Sequence, residues 1–156
     1  MAKGFRARDG RVVGRLDRDE VTVLRGMLAD VQTLVRADGD DPVSRRLFPD
    51  ASPDPAVAAD LRELLHDDLR EAKLANARAM AESLPDDGRV DLAPDEADQW
   101  AAAINDIRLA YGTALGVTED MDEAAYEDDP AMHLYWWLTY LQELLVDALS
   151  AGGVDR

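Results

Sequence analysis

The segment Pro94–Gly116 constrains the fold most, because it combines clear helix boundaries with an aromatic-rich apolar side. On a helical wheel of about 100° per residue, its apolar and polar side chains separate onto opposite arcs. The apolar arc consists of Trp100, Ile104, Ile107, Tyr111, Ala114 and Leu115. The polar arc consists of Asp95, Asp98, Gln99, Asn105, Asp106 and Thr113. Pro94 suits the first helical position and Gly116 suits a left-handed C-cap, so the segment predicts a buried amphipathic helix.

Composition limits the class of protein. The chain has 156 residues, of which 47% are hydrophobic, enough for one domain with a core. A formal net charge of −16 argues against direct nucleic-acid binding and disfavours anionic membranes. We find no signal peptide or transmembrane stretch and therefore expect a cytoplasmic protein. The chain has no cysteine, which excludes disulfides, thiolate metal sites and thiol redox sensing within it.

Local signals predict a mainly α fold, a bundle of about four helices with a small N-terminal β-hairpin (α+β at most). Asp9-Gly10 indicates a type I′ hairpin turn, and Asp17 with Glu20 indicates a capping box. Arg89–Leu92 alternates like a short strand that would add an edge to the hairpin. The predicted single domain, 1–156, contains a hairpin over 4–15, helices over 17–36, 55–84, 94–115 and 130–149, and an acidic loop over 118–129.

The predicted helix over 55–84 carries a long apolar stripe, which we expect to face the core. The stripe consists of Val57, Leu61, Leu64, Leu65, Leu69, Ala72, Ala75 and Ala79. Its small alanines indicate close approach by another helix. Asp68 lies within the stripe and Asn76 lies beside it.

Arg108 interrupts the apolar side of the 94–115 helix, and a charge at the edge of a core needs a partner. We predict an ion pair between Asp68 and Arg108, with Asn76 nearby, that crosslinks the two helices. A structural role in fixing helix register is favoured over a ligand-binding role.

Catalytic and metal-binding motifs are not evident. His66 and His133 lie outside any HExxH pattern and have no neighbouring nucleophile, and no phosphate-binding glycine motif occurs. The acidic loop lacks the pattern of a calcium loop, which favours a solvated loop or a frayed helical turn. We therefore expect a non-enzymatic protein with no cofactor and no metal.

The last helix carries a second apolar stripe, formed by Met132, Trp136 and Tyr140 on the side away from its leucines. Two alternatives follow. The N-terminal hairpin covers this stripe, or the stripe is an anchor for a protein partner, since Trp and Tyr dominate interface hot spots.

Several segments, in order along almost the whole chain, are similar to one actinobacterial family. They are FRARDGRVVGRL, DPVSRRLFPDA, DDLREAKLANA, VDLAPDEADQWAAAINDIRLAYGTALGVTED and YWWLTYLQELLV. The chain thus resembles the AosR-like family, long catalogued as a domain of unknown function, which includes an oxidative-stress regulator of transcription. The resemblance implies a cytoplasmic, mostly helical, non-enzymatic protein.

The resemblance also implies a regulatory role through protein contact. Members of the AosR-like type are partners of an alternative sigma factor after forming an intramolecular disulfide, and family genes lie near a proteolytic adaptor. This cysteine-free chain cannot use that disulfide. We therefore expect stress-response regulation through a sigma factor, another basic protein or the adaptor system, because an acidic body attracts basic surfaces. The hairpin is basic, with four arginines against one aspartate, whereas residues 51–156 carry most of the negative charge and form an acidic body. The alternative is therefore a structural homo-oligomer, such as a homodimer in which the basic hairpin of one copy meets the acidic body of the other. An unrecognised hydrolase or metal enzyme comes third.

Overall fold

A computed structural model describes residues 4–37 and 39–154, with side chains through 151. It confirms a mainly α fold with a small β part near the N-terminus. The elements in chain order are β1 (Phe5–Arg8), β2 (Arg11–Arg15), α1 (Arg18–Ala37), α2 (Pro42–Leu47), α3 (Pro55–Ser83), β3 (Arg89–Leu92), α4 (Pro94–Leu115), a 3₁₀ turn (Glu123–Tyr126) and α5 (Pro130–Val154). The acidic loop therefore includes one short turn of helix.

The three strands form an antiparallel sheet in the order β1-β2-β3. Asp9 and Gly10 join the first two strands with φ angles of 51° and 76°, the positive values that a type I′ turn requires. β3 pairs with β2 so that Val12 lies opposite Leu92. The predicted hairpin thus gains the third strand that Arg89–Leu92 indicated.

Gly88 joins the sheet to the start of α1. Its carbonyl oxygen accepts a hydrogen bond from the N–H of Leu16 at 2.9 Å, and its φ is +76°. A Cβ atom at Gly88 would lie 1.9 Å from the carbonyl oxygen of Leu16. Only glycine fits this close crossing of two backbone segments.

Helix α4 lies at the centre of the molecule and contacts α1, α2, α3, α5 and the sheet. Trp100, Ile104 and Ile107 on its predicted apolar arc are fully buried. The indole N–H of Trp100 donates to the hydroxyl of Ser83 at 2.7 Å, which satisfies its polar atom within the core. Gly116 ends the helix in a left-handed conformation, with φ 75°.

Helix α1 begins at the predicted capping box, and hydrogen bonds join it to α4 and α5. The N–H of Asp17 donates to Glu20 at 2.9 Å, and the N–H of Glu20 donates back to Asp17 at 2.8 Å. Glu20 also accepts from the indole of Trp137 on α5 at 2.8 Å. Farther along, Asp30 accepts from the hydroxyl of Tyr111 on α4 at 2.9 Å.

The predicted orientation of α3 is wrong. Its buried residues are Ala58, Leu74, Ala77 and Met80, whereas the predicted core-facing stripe lies toward solvent. The exposed fractions are 43% for Val57, 73% for Leu64, 52% for Leu65 and 41% for Leu69. A wheel assigns the more apolar side of a helix to the core, but here the less apolar side packs against α1 and α4. Most of the richer stripe is left open to solvent, and only Leu61 and Ala79 within it are half-buried.

Candidate interaction surfaces

A buried ion pair joins α3 to α4. The Nζ atom of Lys73 lies 2.6 Å from Oδ1 of Asp106, and their side chains are only 13% and 6% exposed. The ring of Phe48 lies over this pair, 6.0 Å from the ammonium. Burial raises the pKa of Asp106 above its ordinary value, while the hydrogen bond and charge of Lys73 oppose that rise. The pair is a structural crosslink rather than an open site.

The predicted pair between Asp68 and Arg108 is not formed. Arg108 turns toward α5, where its Nε donates to Thr139 at 3.2 Å and its terminal nitrogen donates to Gln142. Asp68 lies exposed on α3. Because the stripe that contains Asp68 faces water, its carboxylate is solvated and needs no counter-charge.

A different ion pair, Lys73 with Asp106, joins these two helices in place of the predicted pair of Asp68 with Arg108. Asn76, expected near the pair, is half-buried on α3. Lys73 and Asp106 were missed, and the wheel places Asp106 on the polar arc of α4. That helix is covered on several sides, so a residue away from its main apolar arc is buried as well.

The predicted stripe on α5 divides into a buried and an accessible part. Met132 is 1% exposed and packs inside the protein, so it does not belong to a partner surface. Trp136 is half-buried, with its ring 5.7 Å from the ring of His133. Tyr140 is 49% exposed. Strand β1 packs against α5 but leaves Tyr140 open, so the hairpin does not cover the whole stripe.

A groove lies beside Trp136, between the end of α4, the loop that follows it and α5. Its volume is about 630 Å³. The side chains that shape it include Arg108, Leu109, Thr113, Met121, Tyr135, Trp136 and Thr139. Tyr135 fits against Gly112, where a Cβ atom would come within 3.0 Å of the ring. The guanidinium of Arg108 lies 5.9 Å from that same ring, which fixes the cation at the groove wall.

The outward stripe of α3 forms a larger apolar surface, which we call the α3 apolar face. It consists of Val57, Leu61, Leu64, Leu65, Leu69, Ala72, Ala75 and Ala79. In the described part of the chain, four of the seven exposed large hydrophobic residues belong to it. Such a concentration on one helix is typical of a contact surface, whereas scattered exposed residues are not.

The histidine His66 and the acidic loop make local structural contacts in the described part of the chain. The described residues include no group of three or more His, Cys, Asp or Glu side chains placed to hold a metal ion. His66 stacks on Phe48 with ring centroids 4.6 Å apart. In the acidic loop, Asp122 accepts from the N–H of Ala124 and starts the 3₁₀ turn. None of the described helices is long and apolar enough to cross a lipid bilayer.

Known relatives are similar to this chain over most of its length. The putative oxidative stress regulator AosR of Mycobacterium leprae is 40% identical over 150 residues, which cover 91% of this chain and 64% of that protein. The oxidative stress regulators AosR of Mycobacterium tuberculosis H37Rv and Mycobacterium bovis are each 35% identical over 130 residues, covering 72% of this chain and 60% of theirs. This chain therefore spans less than two thirds of the length of these relatives. No solved structure matches it.

One described family matches nearly the whole chain, residues 2–149. The match includes the sheet and α1 to α4, and it ends within α5. Together with the AosR relatives, it confirms the family expected from the sequence. The chain belongs to the family described as a domain of unknown function, DUF2017.

Proposed function

We propose that this protein is a non-enzymatic regulator of a stress response that acts in the cytoplasm by binding a protein partner. The names of the relatives, which are oxidative stress regulators, support a regulatory role. The main support for a protein contact is the accessible pair on α5: Trp136, which lines the groove, and Tyr140, about one helical turn farther along.

This surface has the properties of a binding anchor. Aromatic side chains bury a large area with few rotatable bonds, and they dominate interface hot spots. Trp136 is half-buried and already lies against the ring of His133, so little freedom is lost when a partner covers it. Arg108 is held at the groove wall by its hydrogen bonds to α5, so its positive charge is already positioned there.

Charge favours a basic partner. The net charge of −16 attracts positively charged surfaces and accelerates encounter with them. An alternative sigma factor fits this requirement, and a component of a proteolytic adaptor system is the second choice. The 156 residues contain no cysteine, so the signal to which the regulator responds is not a disulfide within this chain.

The test is capture of the partner from a lysate of the native cell with the tagged protein as bait. The variant Trp136→Ala/Tyr140→Ala removes the proposed anchor, and Val146→Ala, 45% exposed on the same helix, is the matched control. We expect one protein to bind stoichiometrically to wild type and to the control but not to the double variant. The interaction is then reconstituted from the two purified proteins.

Other results would contradict the proposal in distinct ways. Equal capture by the double variant would place the contact elsewhere. Recovery of the bait alone, together with a molecular mass that rises with protein concentration, would favour the homo-oligomer. Catalytic turnover or a bound metal in the purified protein would overturn the non-enzymatic assignment.

A further inference from the structure

The α3 apolar face is long and regular. From Val57 to Ala79 it extends about 33 Å along the helix, at about 1.5 Å per residue. Its centre follows alternating steps of four and three residues, the spacing of a seam between two packed helices. The residues on that seam are Leu61, Leu65, Asp68, Ala72, Ala75 and Ala79. The first half offers leucine side chains and the second half offers alanines, over which another helix can approach closely.

One edge of this face is acidic. On a wheel of about 100° per residue, one side of the seam carries four carboxylates and one arginine. They are Asp60, Asp67, Glu71, Glu82 and Arg78, and all are exposed. Asp67 accepts a long bond of 3.4 Å from Arg70, which leaves it 84% exposed. Asp68 adds a further carboxylate in the middle of the seam.

We propose that the α3 apolar face binds a basic amphipathic helix of another protein. Apolar side chains of that helix would cover the leucines, and its Lys or Arg residues would line up with the acidic edge and with Asp68. This is the helix-in-groove type of recognition, in which apolar anchors give affinity and flanking charges set orientation. It uses a different face from the Trp136 and Tyr140 surface and does not depend on it.

The charges disfavour a second copy of this chain as the occupant. In an antiparallel pair of identical helices each edge meets the same edge of its partner, so the acidic edges would face each other. In a parallel pair in register, Asp68 would lie opposite its own copy on the seam. Both arrangements place like charges together across the interface, which is unfavourable, and the net charge of −16 adds repulsion.

Two synthetic peptides test the proposal with the full chain. Both have 21 residues, about 30 Å as a helix, and both carry leucine at the same seam positions. One has lysine at the remaining exposed positions and the other has glutamate. We expect the lysine peptide to bind with an affinity that falls as salt rises, because salt screens the charge contacts, and the glutamate peptide not to bind.

Matched variants distinguish peptide binding at the α3 apolar face from general attraction of a basic peptide to an acidic protein. Leu64→Gln/Leu65→Gln removes two apolar contacts and should weaken lysine-peptide binding about tenfold or more. Tyr126→Gln/Val146→Gln makes the same kind of change at two exposed residues outside α3 and outside the Trp136 and Tyr140 surface, and it should leave binding unchanged. Two charge variants complete the comparison: Asp68→Asn/Glu71→Gln on α3 and Asp120→Asn/Glu123→Gln in the acidic loop. They change the net charge by the same amount, so general attraction would weaken equally in both. Binding at the α3 apolar face should be reduced, together with its salt dependence, only by the α3 variant.

Each other result overturns the proposal. Absence of lysine-peptide binding would show that the face does not take a basic helix. Equal weakening by the α3 and loop charge variants would show only general electrostatic attraction. Self-association of wild type that Leu64→Gln/Leu65→Gln abolishes would identify a second copy as the occupant. Because the capture variant for the proposed function lies on α5, either proposal can fail while the other stands.

Discussion

Lys73 and Asp106 form an ion pair at 2.6 Å that is almost entirely removed from water, at the junction of α3 with the central helix. Asp106 as a whole is only 4% exposed. Burial raises the pKa of its carboxyl group more than the hydrogen bond and charge of Lys73 lower it. Each partner therefore depends on the other to be tolerated inside the protein.

Replacing only one member of this pair should be costly. For Lys73→Met we expect the free energy of unfolding to fall by about 3–5 kcal/mol, because the carboxylate of Asp106 would remain buried without its cation. The double variant Lys73→Met/Asp106→Leu should recover most of that loss. Urea denaturation of the four proteins of this cycle measures both effects. Additive losses in the double variant would contradict the coupling.

The same variant should show a characteristic pH dependence. Lys73 lowers the pKa of Asp106 against the effect of burial, so removing it raises the folded-state pKa further above the unfolded value. A raised pKa means that the folded form binds the proton more tightly, so stability is gained as pH falls and lost as pH rises. The deficit of Lys73→Met relative to wild type should therefore be smaller at about pH 4 than at about pH 7. Urea titrations at both values decide this, and an unchanged deficit would speak against it.

Gly88 provides a test of backbone crowding with an internal control. Gly88 and Gly10 have the same φ of +76°, but a Cβ atom at Gly88 would overlap the Leu16 carbonyl, whereas one at Gly10 would meet open space. We expect Gly10→Ala to cost about 1–2 kcal/mol from its left-handed conformation. Gly88→Ala should cost about 3 kcal/mol or more, because steric overlap is added. Thermal melts compare the two, and equal costs would exclude the close crossing.

The phenol of Tyr111 should lose its proton at a higher pH than an ordinary tyrosine does. Burial first, and then the hydrogen bond to Asp30 and the charge of that carboxylate, together raise its pKa to about 12. Because the folded form holds the phenolic proton more tightly, the stability from this group is present below about pH 10 and is lost as pH rises toward 12. Tyr111→Phe should lack this part of the alkaline loss, and Asp30→Asn should reduce it. Stability measured across that range tests the assignment, which an identical profile for Tyr111→Phe would refute.

Features encoded by neighbouring residues could be predicted from the sequence. The turn at Asp9 and Gly10 and the α1 capping box depend on local backbone chemistry. The start and end of α4 likewise follow from Pro94 and the left-handed Gly116.

Features that depend on packing could not be predicted in the same way. A single sequence does not specify how many neighbours surround a helix, so Asp106 was placed on a polar face although α4 is covered on several sides. The same limit explains why Asp68 was paired with Arg108. It also explains why the candidate site could be predicted only in part. The helical spacing of Met132, Trp136 and Tyr140 places all three on one side of α5, but tertiary packing buries Met132 and leaves the other two accessible.

The orientation of α3 predicts that replacing leucine by alanine has a large effect on stability at one position of this helix and almost none at another. Leu64 is 73% exposed and Leu74 is 5% exposed. Leu74→Ala should cost about 2–5 kcal/mol through loss of buried contacts and the cavity left behind. Leu64→Ala should change stability by no more than about 0.5 kcal/mol, since alanine is a good helix former and no core contact is lost. Chemical denaturation at low protein concentration measures both. A large loss for Leu64→Ala under those conditions would mean that the apolar stripe of α3 is buried in the free protein after all, and the α3 apolar face would then not be open to a partner.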